Sequence, residues 1–243
     1  MKKIFVVIAV LLVAFTATVN AQESKSIEFS AGADLVSKYV WRGANGGQGA
    51  AFQPALSVSC HGFSLTAWGS TGITDPASYE FDLSLGYSVA GISLALTDYY
   101  WDGHGSSYGW YDDSHHLELS VACTLPSVPL TFSVATMLGF FDPKLEKEDG
   151  EYIIDPSKNN YSTYINAGYD FTAGDVALTA SIGVTPFGSS LWGSGEKKFE
   201  FADVSLKGSK ELKITDSFSM PVFVQAILTP ATEAAHLVFG LSF

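Results

Sequence analysis

The chain is poor in cysteine and in basic residues: it carries 2 Cys, and 13 Lys plus Arg against 25 Asp plus Glu, a formal charge of −12 over 243 residues. Two thiols cannot supply a disulfide framework, and the acidic balance excludes the basic face through which proteins hold nucleic acid. Beyond residue 15 no apolar run approaches the roughly 20 residues that a membrane helix needs. No stretch repeats its apolar residues at a helical period either. Phosphate-loop, CxxC and zinc spacings are missing, so the sequence calls for no cofactor and no metal.

What remains is a chain that is 47% hydrophobic and 14% aromatic. That much apolar surface without helices requires β-structure, either a sandwich or a membrane barrel. The N-terminus stands apart. Lys2 and Lys3 precede the apolar run Ile4 to Phe15, and Val19-Asn20-Ala21 follows. This is the pattern of a secretory signal peptide cleaved after Ala21, too short for an uncleaved anchor, and it leaves residues 22–243 as one domain.

Alternation dominates the rest and is clearest in residues 79–89, YEFDLSLGYSV. Tyr79, Phe81, Leu83, Leu85, Tyr87 and Val89 share one face, while Glu80, Asp82, Ser84, Gly86 and Ser88 share the other. A period of two is a strand with one apolar and one polar side. The same template predicts twelve strands, at 27–41, 51–60, 63–73, 79–89, 92–101, 115–124, 129–141, 161–171, 176–186, 199–211, 218–228 and 234–243; ten or fourteen remain open. Their lengths suit the roughly 9 to 11 residues of a tilted membrane strand. Short links such as His61-Gly62 and Ala90-Gly91 interleave with longer ones, notably 102–114 and 142–160. The expected fold is therefore an all-β, up-and-down antiparallel transmembrane barrel with both termini in the periplasm of a Gram-negative bacterium. The phase change from Phe199/Phe201 to Val204/Leu206 predicts a bulge, and Pro54 and Pro221 each remove a donor inside a strand. Cys60 and Cys123 fall on distant strands of the outer face, too far apart to bridge.

On this map the apolar-face aromatics gather at the strand ends. Tyr39, Trp41, Tyr79 and Phe81 belong to an extracellular belt, and Tyr87, Tyr169 and Phe243 to a periplasmic one. Amphipathic rings favour the headgroup region, so outer-membrane lipid and lipopolysaccharide are the expected surroundings. The closing AHLVFGLSF, ending on Phe243, resembles the terminal signal read by barrel-insertion machinery. A soluble sandwich would explain the abundance of rings but not their placement.

The opposite faces are small and mildly polar: Gln53, Ala55, Ser57 and Ser59 on one strand, Thr179, Ser181, Gly183 and Thr185 on another. Twelve strands about 4.8 Å apart and tilted by about 40° enclose a cylinder roughly 25 Å across, which such side chains leave open to water. Loop 142–160 is long enough to fold into that bore, though it is expected to stand in solvent. The charges on the bore side cluster at the extracellular end: Lys38 and Arg42, Glu80 and Asp82, His116 and Glu118. Cations facing an acidic wall across water would make a charged constriction; the alternative is an ion-pair network with no transport role. His115 and His116 beside Asp112, Asp113 and Ser114 offer only polar residues at a strand top, short of a nucleophile with its base and orienting group.

The segment Ser37-Lys38-Tyr39-Val40-Trp41-Arg42-Gly43, with Phe52-Gln53, Gly62-Phe63, Trp68-Gly69-Ser70, Glu80-Phe81-Asp82 and Tyr99-Tyr100, resembles a family described as outer-membrane porins and labelled TorF, also catalogued as a bacterial domain of unknown function. The resemblance covers residues 30–120 and is carried by Tyr, any residue, aromatic, Arg, Gly. It implies a barrel and a pore. Members commonly place Asp before the Tyr, where this chain has Lys38. The resulting expectation is a non-enzymatic diffusion channel for small hydrophilic solutes. The alternatives are a non-conducting barrel whose loops bind ligands, an outer-membrane hydrolase, and a soluble sandwich.

Overall fold

The structure, a computed structural model, describes residues 27–74, 79–101, 108–109, 111, 114–140, 142–216 and 218–243. The expected signal peptide, residues 1–21, lies outside them. Among the described residues sixteen strands follow one another: β1 (Glu28–Val36), β2 (Val40–Trp41), β3 (Ala44–Asn45), β4 (Ala51–Cys60), β5 (Phe63–Gly72), β6 (Tyr79–Val89), β7 (Ile92–Trp101), β8 (His115–Thr124), β9 (Leu130–Phe140), β10 (Pro143–Glu148), β11 (Glu151–Asn159), β12 (Thr163–Ala173), β13 (Val176–Thr185), β14 (Glu200–Thr215), β15 (Phe218–Thr229) and β16 (Ala234–Ser242). Twelve of them close into one antiparallel barrel, in the order β1, β4 to β9, β12 to β16 and back to β1. Among the described residues the only helix is the 3-10 turn Pro230–Thr232.

The wall forms where the sequence alternates and turns where a residue precedes glycine. His61-Gly62 joins β4 to β5 with φ of 52° and 84°, and Ala90-Gly91 joins β6 to β7 with φ of 50° and 81°. Two successive positive φ values make the type I′ turn, whose twist matches a two-stranded ribbon. The alternation sorts the faces as expected. Leu65, Val134, Leu206, Val224 and Leu237 are exposed on the outer wall, while Gln53, Ser70, Thr97 and Ser205 are buried on the inner one. Cys60 and Cys123 are free thiols, and neither is buried.

The bulge predicted near residue 202 is present. Gly183 pairs with Asp203 but Val184 pairs with Phe201, so Ala202 is the extra residue, and the register of β13 against β14 shifts there. At Pro54 the ladder toward β5 lapses between Phe52↔Thr71 and Ala55↔Trp68, as the missing N–H requires.

Two departures from the expected map matter. Segment 142–160 is not a plain loop but a hairpin of its own, β10 against β11, with Ile153 and Ile154 exposed. There Asp155 is pushed down to about 2 by hydrogen bonds from Ser157, with Lys158 adding to the effect. The larger departure is the first strand, expected to run to residue 41. It leaves the wall after Val36, and the closing seam is short: its ladder register holds three pairs, Asp34↔Ser242, Leu35↔Leu241 and Val36↔Gly240, against nine between β1 and β4, with backbone bonds of Ala33 to Phe243 and Ser37 to Phe239 at its two ends.

Candidate functional site

After Val36 the chain bends and forms a second, small hairpin inside the barrel. Val40 pairs with Asn45 and Trp41 with Ala44, and the Gly46 N–H donates to the Tyr39 carbonyl over 3.0 Å. Its turn is Arg42-Gly43, with φ of 50° and 81°, the same type I′ geometry as the wall turns. Gly43 is held against the far wall. A Cβ there would stand 2.7 Å from both the Ala202 carbonyl oxygen and the Thr229 Cγ2, so the bulge in β14 makes the seat on which the hairpin tip rests.

The tip presents Arg42 to the bore. Its guanidinium grips Glu118 of β8 in a bidentate pair, Nη1 to Oε2 at 2.5 Å and Nη2 to Oε1 at 2.9 Å, with 15% and 2% of the two side chains exposed. Tyr99 donates its hydroxyl to the same carboxylate at 3.1 Å. The rings of Trp41, Tyr164 and Trp192 surround the cation at 4.5, 4.7 and 5.0 Å. Each such ring contact contributes about 0.5–2 kcal/mol, most where water is excluded. Behind them Tyr164 donates to Asp203 Oδ1 at 2.6 Å, and Met137, Tyr164, Trp192 and Ala202 form one buried cluster, with Trp41, Tyr99 and Leu191 packed against it.

This placement corrects the assignment of Tyr39 and Trp41 to the lipid interface. Tyr39 packs on Trp68, with ring centroids 5.6 Å apart, and hydrogen-bonds Glu80. Trp41 packs on Tyr99, Trp101 and Trp192 at 5.3, 5.7 and 5.3 Å. Both rings lie in the bore because their strand left the wall after Val36. By contrast Tyr79, Phe81, Tyr169 and Phe243 are exposed on the outer surface, and Tyr87 is half-buried there against Phe63.

The expected charge arrangement is also corrected. Arg42 does not face an acidic wall across water but closes directly on Glu118. Lys38 turns away to the seam, its Nζ 3.2 Å from His236 Nδ1. Glu80 and Asp82 are buried on the inner face, with Tyr39 hydrogen-bonded to Glu80. His116 points inward, its ring 3.9 Å from that of Trp101. His115 points the other way, so the adjacent histidines lie on opposite sides of the wall and cannot form one centre. Asp112 and Asp113 lie outside the described residues.

Sequence reasoning missed Tyr99, Tyr164, Trp192 and Asp203 as partners of Arg42. Trp192 comes from the link 186–199, which the alternation template passes over. A signal for the hairpin did exist. Arg42-Gly43 is a residue-glycine pair flanked by Tyr39-Val40-Trp41 and Ala44-Asn45, the same form as the turns at His61-Gly62 and Ala90-Gly91.

Beside Arg42 lies a cavity of about 390 Å³, lined by Arg42, Ser93, Ser120, Ser133, Tyr164 and Asn166 among others. It reaches toward the end of the barrel that carries the two-residue turns. The bore is thus hollow below Arg42 and crowded at and above it.

The fold and this site define a closed twelve-stranded antiparallel barrel with an apolar outer wall, narrowed from within by a hairpin of its own first strand. By sequence the chain belongs to the family described as "Bacterial protein of unknown function (Gcw_chp)", whose model matches residues 20–225. The match runs well past residue 120, where the resemblance was expected to fade, and it agrees with the expected bacterial family of unknown function, without the TorF label. Among solved structures the chain is similar to the KdgM porin, with 10% identity over 88% of this chain and 97% of that one and a TM-score of 0.45. It is also similar to a triple mutant of the Rh. blastica porin, with 9% identity over 90% and 99% and a TM-score of 0.34. No curated protein matches the chain.

Proposed function

We propose that this protein is an outer-membrane diffusion channel for small hydrophilic solutes, with no enzymatic activity, whose bore is gauged by the Arg42 hairpin. The observation that carries this reading is the inversion of polarity across one wall. Leucine, valine and phenylalanine are exposed outside, whereas serine, alanine and asparagine surround a cavity of about 390 Å³ inside. An apolar exterior of this extent needs an apolar solvent. The exported chain would reach the outer membrane through its signal peptide and the Phe243 terminus, with lipid and lipopolysaccharide around the wall.

Discrete conductance of the purified barrel in planar bilayers is the test, and its complete absence in folded protein would remove the channel reading. The outer wall has its own test. Leu65→Arg on the outer face should cost about 2–4 kcal/mol of folding stability in lipid vesicles, while Thr66→Arg on the bore face should cost far less. Equal effects in urea titrations would overturn the assignment of the two faces.

A second reading has a specific observation behind it. The hairpin touches β5 through Trp68, β7 through Tyr99 and Trp101, β8 through Glu118 and β14 and β15 through Gly43, which would suit a permanently closed barrel that presents β10 and β11 as its working surface. Removing that hairpin separates the two. A closed barrel loses its surface function and still passes no current.

A further inference from the structure

The hollow below Arg42 differs from other parts of the bore in how its hydroxyls are paired. Elsewhere on the inner wall, hydroxyls stand directly opposite one another and bond across strands. Ser57 accepts from Thr66 at 3.2 Å, and Ser84 with Thr97 and Ser181 with Ser205 close to 2.9 Å. Over β7, β8, β9 and β12 the registers set polar groups opposite methyls instead. Ser93 pairs with Ala122, Ala122 with Ser133 and Ser133 with Asn166. In the next row of the same face Ala95 pairs with Ser120, Ser120 with Ala135 and Ala135 with Tyr164. The rows are out of phase, so this side of the cavity is a chequerboard of polar and apolar groups.

Diagonal neighbours on a sheet stand roughly 7–8 Å apart, beyond hydrogen-bond reach. Ser120 is diagonal to both Ser93 and Ser133, and among the described residues the hydroxyls of Ser120 and Ser133 bond no other side chain. Arg42 has donors left over as well. A guanidinium carries five N–H groups, and the Glu118 carboxylate accepts from Nη1 and Nη2. Arg42 is the one charged side chain among the described residues that line the cavity. With Glu118 closed on it, the cavity offers donors and acceptors but no net charge.

Each of these features constrains an occupant. An apolar molecule would displace water and leave the two hydroxyls and the spare N–H groups unsatisfied. An ion would lose its hydration and find no free counter-charge. The volume, about 390 Å³, falls within the roughly 300–1,000 Å³ of small-ligand pockets. What fits is a molecule that turns hydroxyls toward Ser120, Ser133 and Arg42 and C–H groups toward Ala95, Ala122 and Ala135, which describes a sugar ring. We propose that this cavity is a binding site for a neutral saccharide, with the Ser120 and Ser133 hydroxyls selecting the solute and Arg42 donating to it from above. The inference rests on the channel reading, for which it names the solute class.

Maltose serves as the probe, with glutamate and free lysine as charged solutes for comparison. Trp41 and Trp192 pack on the Arg42 guanidinium, so occupancy is read from tryptophan emission of the full-length barrel in detergent, where no passage is needed. Conductance is measured separately in planar bilayers. Maltose should shift the emission saturably and reduce the current, and the charged solutes should do neither. Ser120→Ala with Ser133→Ala, which leaves methyls at both positions, should weaken maltose binding by about tenfold. Ser120→Asp places a charge in the neutral cavity and should weaken maltose while admitting free lysine. A conducting barrel whose emission ignores maltose or answers all three solutes alike would overturn the site and leave the channel standing. So would a double variant that binds maltose as tightly as the unmodified protein. Maltose binding by a barrel that never conducts would uphold the site and overturn the channel.

Discussion

Arg42→Ala is expected to open the bore, make it more cation-selective and destabilise the barrel. The substitution removes the guanidinium around which Trp41, Tyr164 and Trp192 are arranged, leaving space where the cation was. It also leaves Glu118, 2% exposed, with Tyr99 as its donor and no cation. Stranding one member of a buried ion pair costs on the order of 3–5 kcal/mol. The sign of the selectivity follows from charge: the bore loses a positive group and keeps a negative one, so the reversal potential in a salt gradient should move toward cations. Replacing both partners, Arg42→Met with Glu118→Leu, should recover most of the stability, because the stranded charge is gone. If the single and double variants unfold at the same urea concentration, the pair does not carry the energy assigned to it.

Gly43→Ala should have a comparably large effect on the opening without the change of selectivity. The added methyl would meet the Ala202 carbonyl oxygen and Thr229 Cγ2 at 2.7 Å, at a φ of 81° that side chains rarely adopt. Strain of this kind costs about 1–3 kcal/mol. The hairpin tip would lift from its seat with Arg42 and Glu118 both present, so conductance should rise while the ratio of cation to anion current changes little. Thr229→Ser removes one of the two colliding groups and should restore part of the unmodified conductance. Two variants that open the bore equally but differ in selectivity would place the charge effect on Arg42 and the steric effect on its neighbour.

The wall was legible because one rule governs it. Each spanning segment has one face in an apolar environment and one in a polar one, so a period of two is written into Tyr79 to Val89 and its eleven counterparts, and a residue before glycine marks the tight turns. The constriction was harder to read for the same reason. Tyr39 and Trp41 alternate with Lys38, Val40 and Arg42 just as wall residues do, but the hairpin that carries them lies inside the barrel, where both of its faces meet protein. There Val40 packs with Val36, Ala51, Phe223, Ile227 and Val238, and Trp41 packs with other rings. Periodicity reports a difference between two faces and says nothing about which solvent lies on each. The partner of Arg42 was beyond local reasoning altogether, since Glu118 is 76 residues away and is brought opposite only by closure of the ring. The bulge at Ala202 was the part of the site that sequence did reveal, as a phase change, though not what it was for.

The short seam between β1 and β16 gives the hairpin a bearing on assembly as well as on passage. These two strands are the most distant in sequence, so bringing them together carries the largest loop-closure cost in the ring. Its few ladder bonds would leave it the first place to split. The chain that departs from the wall crosses this junction on the inside. Ser37 accepts from the Phe239 N–H at 2.9 Å, Lys38 reaches His236, Val40 joins the cluster shared by Val36 and Val238, and Gly43 braces on Thr229. The residues that narrow the passage therefore also rivet the two ends of the cylinder together, and a ring that had closed without them would be a ring easily reopened.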